Sequence, residues 1–409
     1  MKLHKQLALT LIIQVIGSSS TLLATLWIGI TAGPQQQGHF NQLKSLIDLS
    51  IALAAMGMPQ ALYIYTQSNR LSLYKAKKIS LWIGALGLLT GSATAFWSNG
   101  YDPTLIVIFG ATSIAGCLHA QWRALLLLSQ KSLTFNLTTI APQVLLIPLA
   151  IWISIFNETS STAISFGIFL AWAIGAAFAE MVLSKLPNQQ QSCKEKGNLH
   201  SLLLHGFSTG ITVALAILGT VLVQKAAQQS AGQAGLGVFS IALLLAQIPL
   251  TPLNYALPLL LKIRLAQRII NPFDNIFFFA TALLISILAI AVFFLGSIRS
   301  DLWMGPAYSG VHNILAILLT AGIAEISIRL GGVNAHATLR PWITVVAEAM
   351  RIITLLTLWF STLDQQNPHT LPQLATGWLL AAIVSLVTLK LCTHCRRGEA
   401  PHDTPAQRL

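Results

Sequence analysis

Long apolar runs alternate with short polar segments along the whole chain. Each run holds about 20 residues, the length that an α-helix needs to cross roughly 30 Å of hydrocarbon. The pattern predicts twelve membrane spans, numbered 1 to 12 in chain order. They cover residues 7–31, 43–66, 79–98, 104–129, 133–156, 163–184, 201–224, 237–261, 272–298, 311–333, 341–362 and 371–392. We therefore expect an all-α polytopic membrane protein.

A polar, Gln-rich segment after span 6 divides the spans into two sets of six. We interpret residues 1–184 as an N-terminal six-helix lobe, 185–200 as a cytoplasmic linker and 201–392 as a C-terminal six-helix lobe. Residues 393–409 contain prolines and scattered charges, which indicates a disordered cytoplasmic tail. The expected architecture is two lobes around a central cavity.

The two halves share residues at a separation of 199 positions. The matched positions are Ala32, Gly33, Gly38, Phe40, Pro59 and Leu62, which recur as Ala231, Gly232, Gly237, Phe239, Pro258 and Leu261. In each half an outer turn precedes a helix with a proline at the same place, and prolines bend helices. Repeats with interrupted helices at corresponding places enclose a midplane site in many transporters. The repeat therefore predicts transport.

Composition and charge set the environment of the chain. Hydrophobic residues make up 54% of it and charged residues 9%, which excludes a soluble protein with a charged surface. Of the 24 lysines and arginines, 17 fall in segments on the N-terminal side of the membrane and two in the opposite loops. Because short loops rich in Lys and Arg stay in the cytoplasm, both termini are predicted to be cytoplasmic in a bacterial inner membrane. The same bias explains most of the net charge of +12 without a nucleic-acid partner.

Charged residues inside spans are costly and tend to face a bundle interior or a wet cavity. Three acid–base pairs lie three or four residues apart and so share a helix face. They are Lys44 and Asp48 in span 2, Glu325 and Arg329 in span 10, and Glu348 and Arg351 in span 11. Each pair is interpreted either as a neutralised pair that fixes helix packing or as a functional site. In the functional interpretation, Asp48, Glu325 or Glu348 binds a coupling proton or sodium ion.

Arg123 in span 4 has His119 one turn away and no acid within a turn. A guanidinium that faces a bundle interior attracts anions, and its planar fork matches phosphate. If about seven residues are inserted in the second half, Ala115, Gly116 and Arg123 align with Ala321, Gly322 and Arg329. The alternative is that both arginines snorkel toward cytoplasmic water.

Residues for catalysis or metal binding are sparse. The first outer loop, predicted at 32–42, contains no acid, and no phosphate-binding glycine loop or nucleophile–base motif is present. Cys392 and Cys395 form one CxxC without the second ligand pair that a structural zinc site needs. We expect no enzymatic activity, no metal and no cofactor.

Three stretches carry a resemblance to a known family. These are AGPQQQGHF leading into SLIDLSIALAAMGMPQALYIYTQS, its echo AGQAGLGVFSIALLLAQIPLTPLNYALP, and WMGPAYSG before span 10. They resemble the polysaccharide flippases of the multidrug/oligosaccharidyl-lipid/polysaccharide (MOP) exporter superfamily, which have twelve helices in two six-helix lobes. Gln35 and Gln37 stand where that family often has an acid and an aromatic residue, so any role of that acid is not inherited.

The resemblance implies transport of a polyprenyl-diphosphate-linked oligosaccharide from the cytoplasmic to the periplasmic leaflet, for O-antigen, capsule or exopolysaccharide assembly. A charged headgroup cannot cross hydrocarbon unless a cavity replaces its water. We expect cations to bind the diphosphate and amides to bind sugar hydroxyls, while the prenyl tail stays among membrane lipids and the lobes rock to alternate access. The expected cations are Arg123, Arg329, Lys44 and Arg351, and the expected amides are Gln14, Gln60 and Gln247. Glycan polymerases or ligases are possible partners.

The sequence leaves other functions open. A drug or metabolite exporter of the same superfamily shares the fold, although its proton-driven members tend to have an acid in span 1, where this chain offers only Gln14. Lipid II flippases are related but usually have more than twelve helices. A membrane glycan polymerase or ligase would be an enzyme acting outside the membrane, and a non-transporting scaffold is a further alternative.

Overall fold

The computed structural model of the chain is helical wherever it describes regular structure. It describes residues 2–68, 70–128, 132–185, 199–250, 273–298, 306–308, 310–337, 340, 342–363 and 370–394. The helices are Lys2–Ala55, Met58–Gln67, Leu73–Asn99, Pro103–Leu126, Ser132–Val144, Leu146–Phe156, Ser161–Ser184, Leu199–Gln247, Phe273–Ile298, Val311–Ala337, Trp342–Leu363 and Leu371–His394. Short 3-10 turns occupy Ile248–Leu250 and Pro306–Tyr308.

Within these ranges, nine helical stretches are long and apolar enough to cross a membrane. Val15–Ala55 and Leu199–Leu250 have the length of two crossings each. The nine stretches therefore provide eleven spans, and the apolar helix Phe273–Ile298 provides the twelfth, as the sequence predicts. The chain is thus an all-α, multi-pass membrane protein, as predicted. The linker and tail fall mainly on 186–198 and 395–409, outside the described residues, so those boundaries stay predictions.

The repeat in the sequence marks the same backbone break in both halves. Gly33 interrupts the first long helix with φ 86° and ψ 172°, and Gly232 interrupts the other with φ 68° and ψ −171°. A positive φ with extended ψ is accessible mainly to glycine. Each break separates two spans that run in opposite directions. We call the end of the bundle that carries both breaks the turn face, and the opposite end, where span 1 begins, the termini face.

The prediction of a first outer loop over residues 32–42 is wrong. Of these residues only Gly33 leaves helical geometry, and the helix resumes at Pro34. Proline suits the first turn of a helix because its fixed φ is helical and no N–H is lost there. Gln36, Gln37 and Asn41 are buried, so this polar stretch faces other helices and is not a solvent-exposed loop.

The proline-rich regions do interrupt helices. Span 2 breaks at Met56 and Gly57, both in the left-handed region, and the helix restarts with Pro59 in its first turn. Span 8 changes to a 3-10 turn at Ile248, next to Pro249. Pro252 and Pro258 lie outside the described residues.

Two lobes meet along spans 1, 2, 7 and 8. Spans 3 to 6 pack on spans 1 and 2, and spans 10 to 12 pack on spans 7 and 8. Span 9 packs on span 10 and on the 3-10 turn Ile248–Leu250 of span 8. At the turn face, a Cβ at Gly38 would overlap the carbonyl of Gln233, and a Cβ at Gly237 would overlap the carbonyl of Pro34. Positions 38 and 237, like 34 and 233, are related by the repeat, so the two helix backbones touch reciprocally about a pseudo-twofold axis.

Side chains add further ties between the lobes at the turn face. Gln42 accepts a hydrogen bond from Gln233 at 3.1 Å and donates one to Gln228 at 2.8 Å. The buried Tyr308 hydroxyl, from the WMGPAYSG stretch, donates to Gln37 Oε1. The turn-face end of the lobe interface is therefore closed by backbone contact and by uncharged polar groups.

We expect Gly237→Ala to push the lobes apart at the turn face. Its methyl group would overlap backbone atoms of Pro34, which cannot move aside without moving span 2. Spin labels on the exposed Gln35 and Ala234 would report a longer distance between lobes than in the wild type. Gly377→Ala is the matched control, because its Cβ meets only a side-chain methyl at an ordinary 3.5 Å. Equal label distances in Gly237→Ala and the wild type would contradict this backbone contact between the lobes.

Candidate functional site

A cavity of about 600 Å³ lies between the lobes. Spans 1, 2, 7 and 8 form most of its wall, with contributions from spans 4, 6 and 10. Its lining includes Thr21, Thr25, Asn41, Lys44, Ser45, Asp48, Gln60, Arg123, Trp172, Thr220, Gln224, Ser240, Gln247 and Arg329. Three cationic side chains against one carboxylate make this lining electropositive.

The cavity lining follows the repeat. Six pairs of lining residues are separated by 199 positions, so they occupy equivalent places in the two lobes. The pairs are Thr21 and Thr220, Thr25 and Gln224, Asn41 and Ser240, Lys44 and Leu243, Ser45 and Leu244, and Asp48 and Gln247. Among their polar members, Lys44, Asp48 and Gln247 were predicted from the sequence and the others were not, although the same 199-residue offset applied to polar positions identifies them. The pseudo-twofold axis therefore passes through the cavity.

Arg123 and Arg329 reach the same cavity from opposite lobes. Arg123 lies in the last turn of span 4, and its guanidinium lies 5.9 Å from the centre of the Phe135 ring. Arg329 lies in the half of span 10 nearer the termini face, 3.7 Å from Glu325. Their side chains remain partly accessible from the cavity. The two predicted arginines thus face a common space at its termini-face end.

Lys44 and Asp48 form the predicted pair on span 2. The Lys44 ammonium lies 2.6 Å from Asp48 Oδ2, and the side chains are 27% and 30% exposed. Both line the central cavity. These two charges therefore neutralise each other, and the other charged side chains of the lining are Arg123 and Arg329, of which Arg329 also faces Glu325.

The other two predicted pairs form one cluster inside the C-terminal lobe. Arg351, 2% exposed, is ion-paired with Glu325 and lies 3.6 Å from Glu348. Its guanidinium also stacks on the Trp378 ring at 4.1 Å from the ring centre, a favourable cation–π geometry. Arg351 lines a side cavity of about 70 Å³ and not the central one. The cluster reaches the central cavity through Arg329, which lines both.

The predicted amides differ in position. Gln60 and Gln247 line the central cavity, and Gln247 also borders the side cavity of the cluster. The side chain of Gln14 lies outside the described part of span 1. Two of the three amides are therefore placed where a cavity ligand would meet them.

A second space of about 700 Å³ adjoins the central cavity and opens sideways between spans 1 and 8. Lys44, Asp48 and Gln247 border both spaces. The outer part of this groove is apolar, with Val15 on span 1 and Leu284 on span 9 each about half exposed. On the opposite flank, spans 2 and 7 touch, since a Cβ at Gly57 would overlap the backbone of Gly206 and Gly210. Within the described residues, the interface is thus open to the membrane on the flank of spans 1 and 8.

Metal-binding chemistry is not grouped within the described residues. No set of three or more His, Cys, Asp or Glu side chains is close enough there to hold an ion. Cys395, the second cysteine of the CxxC, lies outside the described residues.

Comparison with known proteins identifies the fold. No protein-family profile matches the chain, and no curated protein sequence matches it. Among solved structures, it resembles a MOP superfamily transporter from Pyrococcus furiosus, for which a reversed polarity of the binding pocket suggests a different function (12% identity, 96% of each chain, TM-score 0.65). It also resembles an outward-facing multidrug resistance MATE family transporter of the MOP superfamily (12% identity, 96% of each chain, TM-score 0.67). A Vibrio cholerae MATE transporter gives 16% identity over 97% of this chain and 98% of the other, with a TM-score of 0.67. The chain therefore has the twelve-helix, two-lobe fold of MOP superfamily transporters.

Proposed function

We propose that the protein is a flippase for a polyprenyl-diphosphate-linked oligosaccharide. In this proposal the termini face lies in the cytoplasm of a bacterium, and the lipid moves from the cytoplasmic to the periplasmic leaflet of the inner membrane. The glycan then serves O-antigen, capsule or exopolysaccharide assembly, and a glycan polymerase or ligase acts on it outside. Alternating rocking of the two lobes provides the movement.

The observation that carries the proposal is the electropositive lining of the central cavity. Arg123 and Arg329 approach it from the two lobes at the termini-face end. Two guanidinium groups facing one space suit a doubly charged diphosphate, because each can hold phosphate oxygens in a bidentate fashion. A cationic drug would meet repulsion in the same place.

The groove between spans 1 and 8 supports a lipid substrate. It connects the polar cavity with an apolar surface that faces the membrane. A prenyl chain that lies in this groove stays in an apolar environment while its headgroup occupies water-like surroundings. Transfer of the charged headgroup alone through hydrocarbon would be prohibitively costly.

A multidrug exporter is the second candidate, and the fold comparisons support it at least as well. Of the three solved structures named above, two are MATE transporters, and one of these is named for multidrug resistance. The charge of the cavity favours the flippase, since its one lining carboxylate among the described residues, Asp48, is already paired with Lys44. An anionic or neutral exported compound would fit this lining better than a cation.

Liposomes that contain the purified protein would separate the two functions. We expect fluorescent polyprenyl-diphosphate oligosaccharide in one leaflet to become accessible in the other at least about tenfold faster than in empty liposomes, because the cavity replaces the water of the headgroup. A cationic dye such as ethidium should cross no faster than in empty liposomes. Dye transport without glycolipid movement would overturn the flippase and support the exporter.

Ion coupling is part of the proposal and is tested in the same liposomes. Among the acids of the cluster, Glu348 is the least compensated, since its Oε2 makes no hydrogen bond within the described residues and lies 3.6 Å from Arg351. We assign it as the first choice for a coupling proton, with Asp48 and Glu325 held more tightly by Lys44 and Arg351. An imposed proton gradient should accelerate movement in the wild type and not in Glu348→Gln. The same measurement is made with an imposed sodium gradient. A transport rate that neither gradient changes would contradict ion coupling.

A further inference from the structure

The central cavity differs in chemistry between its two ends. Arg123 and Arg329 lie toward the termini face, whereas Asn41, Ser240 and Gln224 form its turn-face end. These three side chains are uncharged and almost completely buried, with 9%, 4% and 6% of their surface exposed. The nearest charge along span 2 is Lys44, one turn further from the turn face and held by Asp48.

Two of these polar groups lack an internal partner. Within the described residues, Asn41 Nδ2 and Ser240 Oγ make no hydrogen bond. A buried donor without a partner lowers stability, so such groups are retained where something else satisfies them. Both groups line the cavity, so a molecule inside it can supply the missing bonds.

The two groups are related by the repeat. Asn41 and Ser240 are separated by 199 positions. Each lies one helical turn after the glycine of its lobe, Gly38 or Gly237, at which the two helix backbones touch. They therefore face the same volume from opposite lobes. Together they offer an amide that donates and a hydroxyl that both donates and accepts, which matches a ring that carries hydroxyl groups around its edge.

Gln224 connects this end with a further cavity toward the turn face. That cavity, of about 200 Å³, is lined by His39, Gln42, Trp97, Gln224, Lys225, Gln228 and Gln233, among others. Most of its polar groups are amides, and Lys225 lies over the Trp97 ring at 4.7 Å. Hydrogen-bonding groups, most of them amides, thus continue from the cavity through Gln224 toward the turn face.

We propose that Asn41, Ser240 and Gln224 form a saccharide subsite that binds the sugar nearest the diphosphate. The proposal rests on the flippase function and adds the orientation of the headgroup. The diphosphate lies at the arginines and the sugar points toward the turn face. The sugar then precedes the diphosphate when the lobes separate at the turn face.

Binding of two lipid probes to the full-length protein in nanodiscs tests this assignment. One probe is polyprenyl diphosphate, and the other carries a single N-acetylglucosamine on the same diphosphate. We expect Asn41→Leu and Ser240→Ala each to weaken binding of the sugar-bearing probe by about threefold to tenfold, the effect of a lost neutral hydrogen bond. Binding of the sugar-free probe should stay within about twofold in both variants, which also shows that they are folded.

Gln229→Leu is the matched control, because it removes an exposed amide from the same helix as Gln224. It should leave binding of both probes unchanged. Equal weakening of both probes in Asn41→Leu and Ser240→Ala, or no weakening at all, would overturn the subsite while leaving the flippase in place. If the wild type binds neither probe and moves no glycolipid in liposomes, the proposed function fails and the subsite fails with it.

Discussion

Arg351→Met is expected to destabilise the protein more than the loss of any cation that lines the central cavity. The guanidinium is buried between Glu325 and Glu348 and stacks on Trp378. Its removal leaves Glu325 with Arg329 alone and Glu348 with no partner on its own helix. Breaking a buried ion pair by removing one member typically costs about 3–5 kcal/mol. We expect the midpoint of thermal unfolding in detergent to fall by on the order of 5–10 °C.

The matched comparison separates burial from charge. Arg329→Gln removes a cation from the same cluster, but this side chain is 24% exposed and Glu325 keeps Arg351. Its midpoint should fall by less than half as much. Combining Arg351→Met with Glu325→Gln and Glu348→Gln should recover most of the loss, because both carboxylates lose their charge together with Arg351 and the one cluster member that stays charged, Arg329, is partly exposed. A triple variant no more stable than Arg351→Met would show that packing on Trp378, and not charge, explains the effect.

Replacing Arg123 and Arg329 together by alanine should lower glycolipid movement by at least about a hundredfold, since each charged hydrogen bond to phosphate contributes about 1.5–3 kcal/mol. Both guanidinium groups line the cavity from opposite lobes, so each single variant should show a smaller loss. In cells, Arg123→Ala and Arg329→Ala should reduce surface glycan while the protein level stays unchanged.

Two controls sharpen this experiment. Lys78→Ala removes an exposed cation near the termini face, outside the cavity, and should leave movement unchanged. Arg123→Lys keeps the charge but loses the bidentate fork, so its rate should lie between those of Arg123→Ala and the wild type. Normal surface glycan in both alanine variants would remove the cationic cavity from the mechanism.

Local sequence patterns predicted much of the fold. Apolar length placed the spans, and the 199-residue repeat predicted an outer turn in each half. The structure makes each turn at a single glycine, Gly33 and Gly232, because only glycine readily adopts that backbone conformation. The three short-range ion pairs also form, as helical spacing requires. The error at residues 32–42 arose because polarity was taken to indicate solvent, whereas Gln37 and Gln42 form hydrogen bonds across the lobe interface.

Contacts between distant segments could not be read from spacing. Arg351 pairs with Glu325 on another helix, 26 residues away. The Arg351 side chain therefore lines the side cavity and not the central one. Likewise, Tyr308 reaches Gln37 across 271 residues. Such pairings depend on how helices pack, and a single sequence specifies only which faces are available.

The groove on one flank of the interface has a consequence for substrate range. Spans 2 and 7 touch through Gly57 and Gly210, whereas spans 1 and 8 leave a membrane-facing slot beside Gln247. In the part of the chain that the structure describes, the slot leaves an isoprenoid chain exposed to the membrane beyond its first units. Under the flippase proposal, the number of isoprene units is therefore irrelevant to turnover, and the carrier selects its cargo by the headgroup alone.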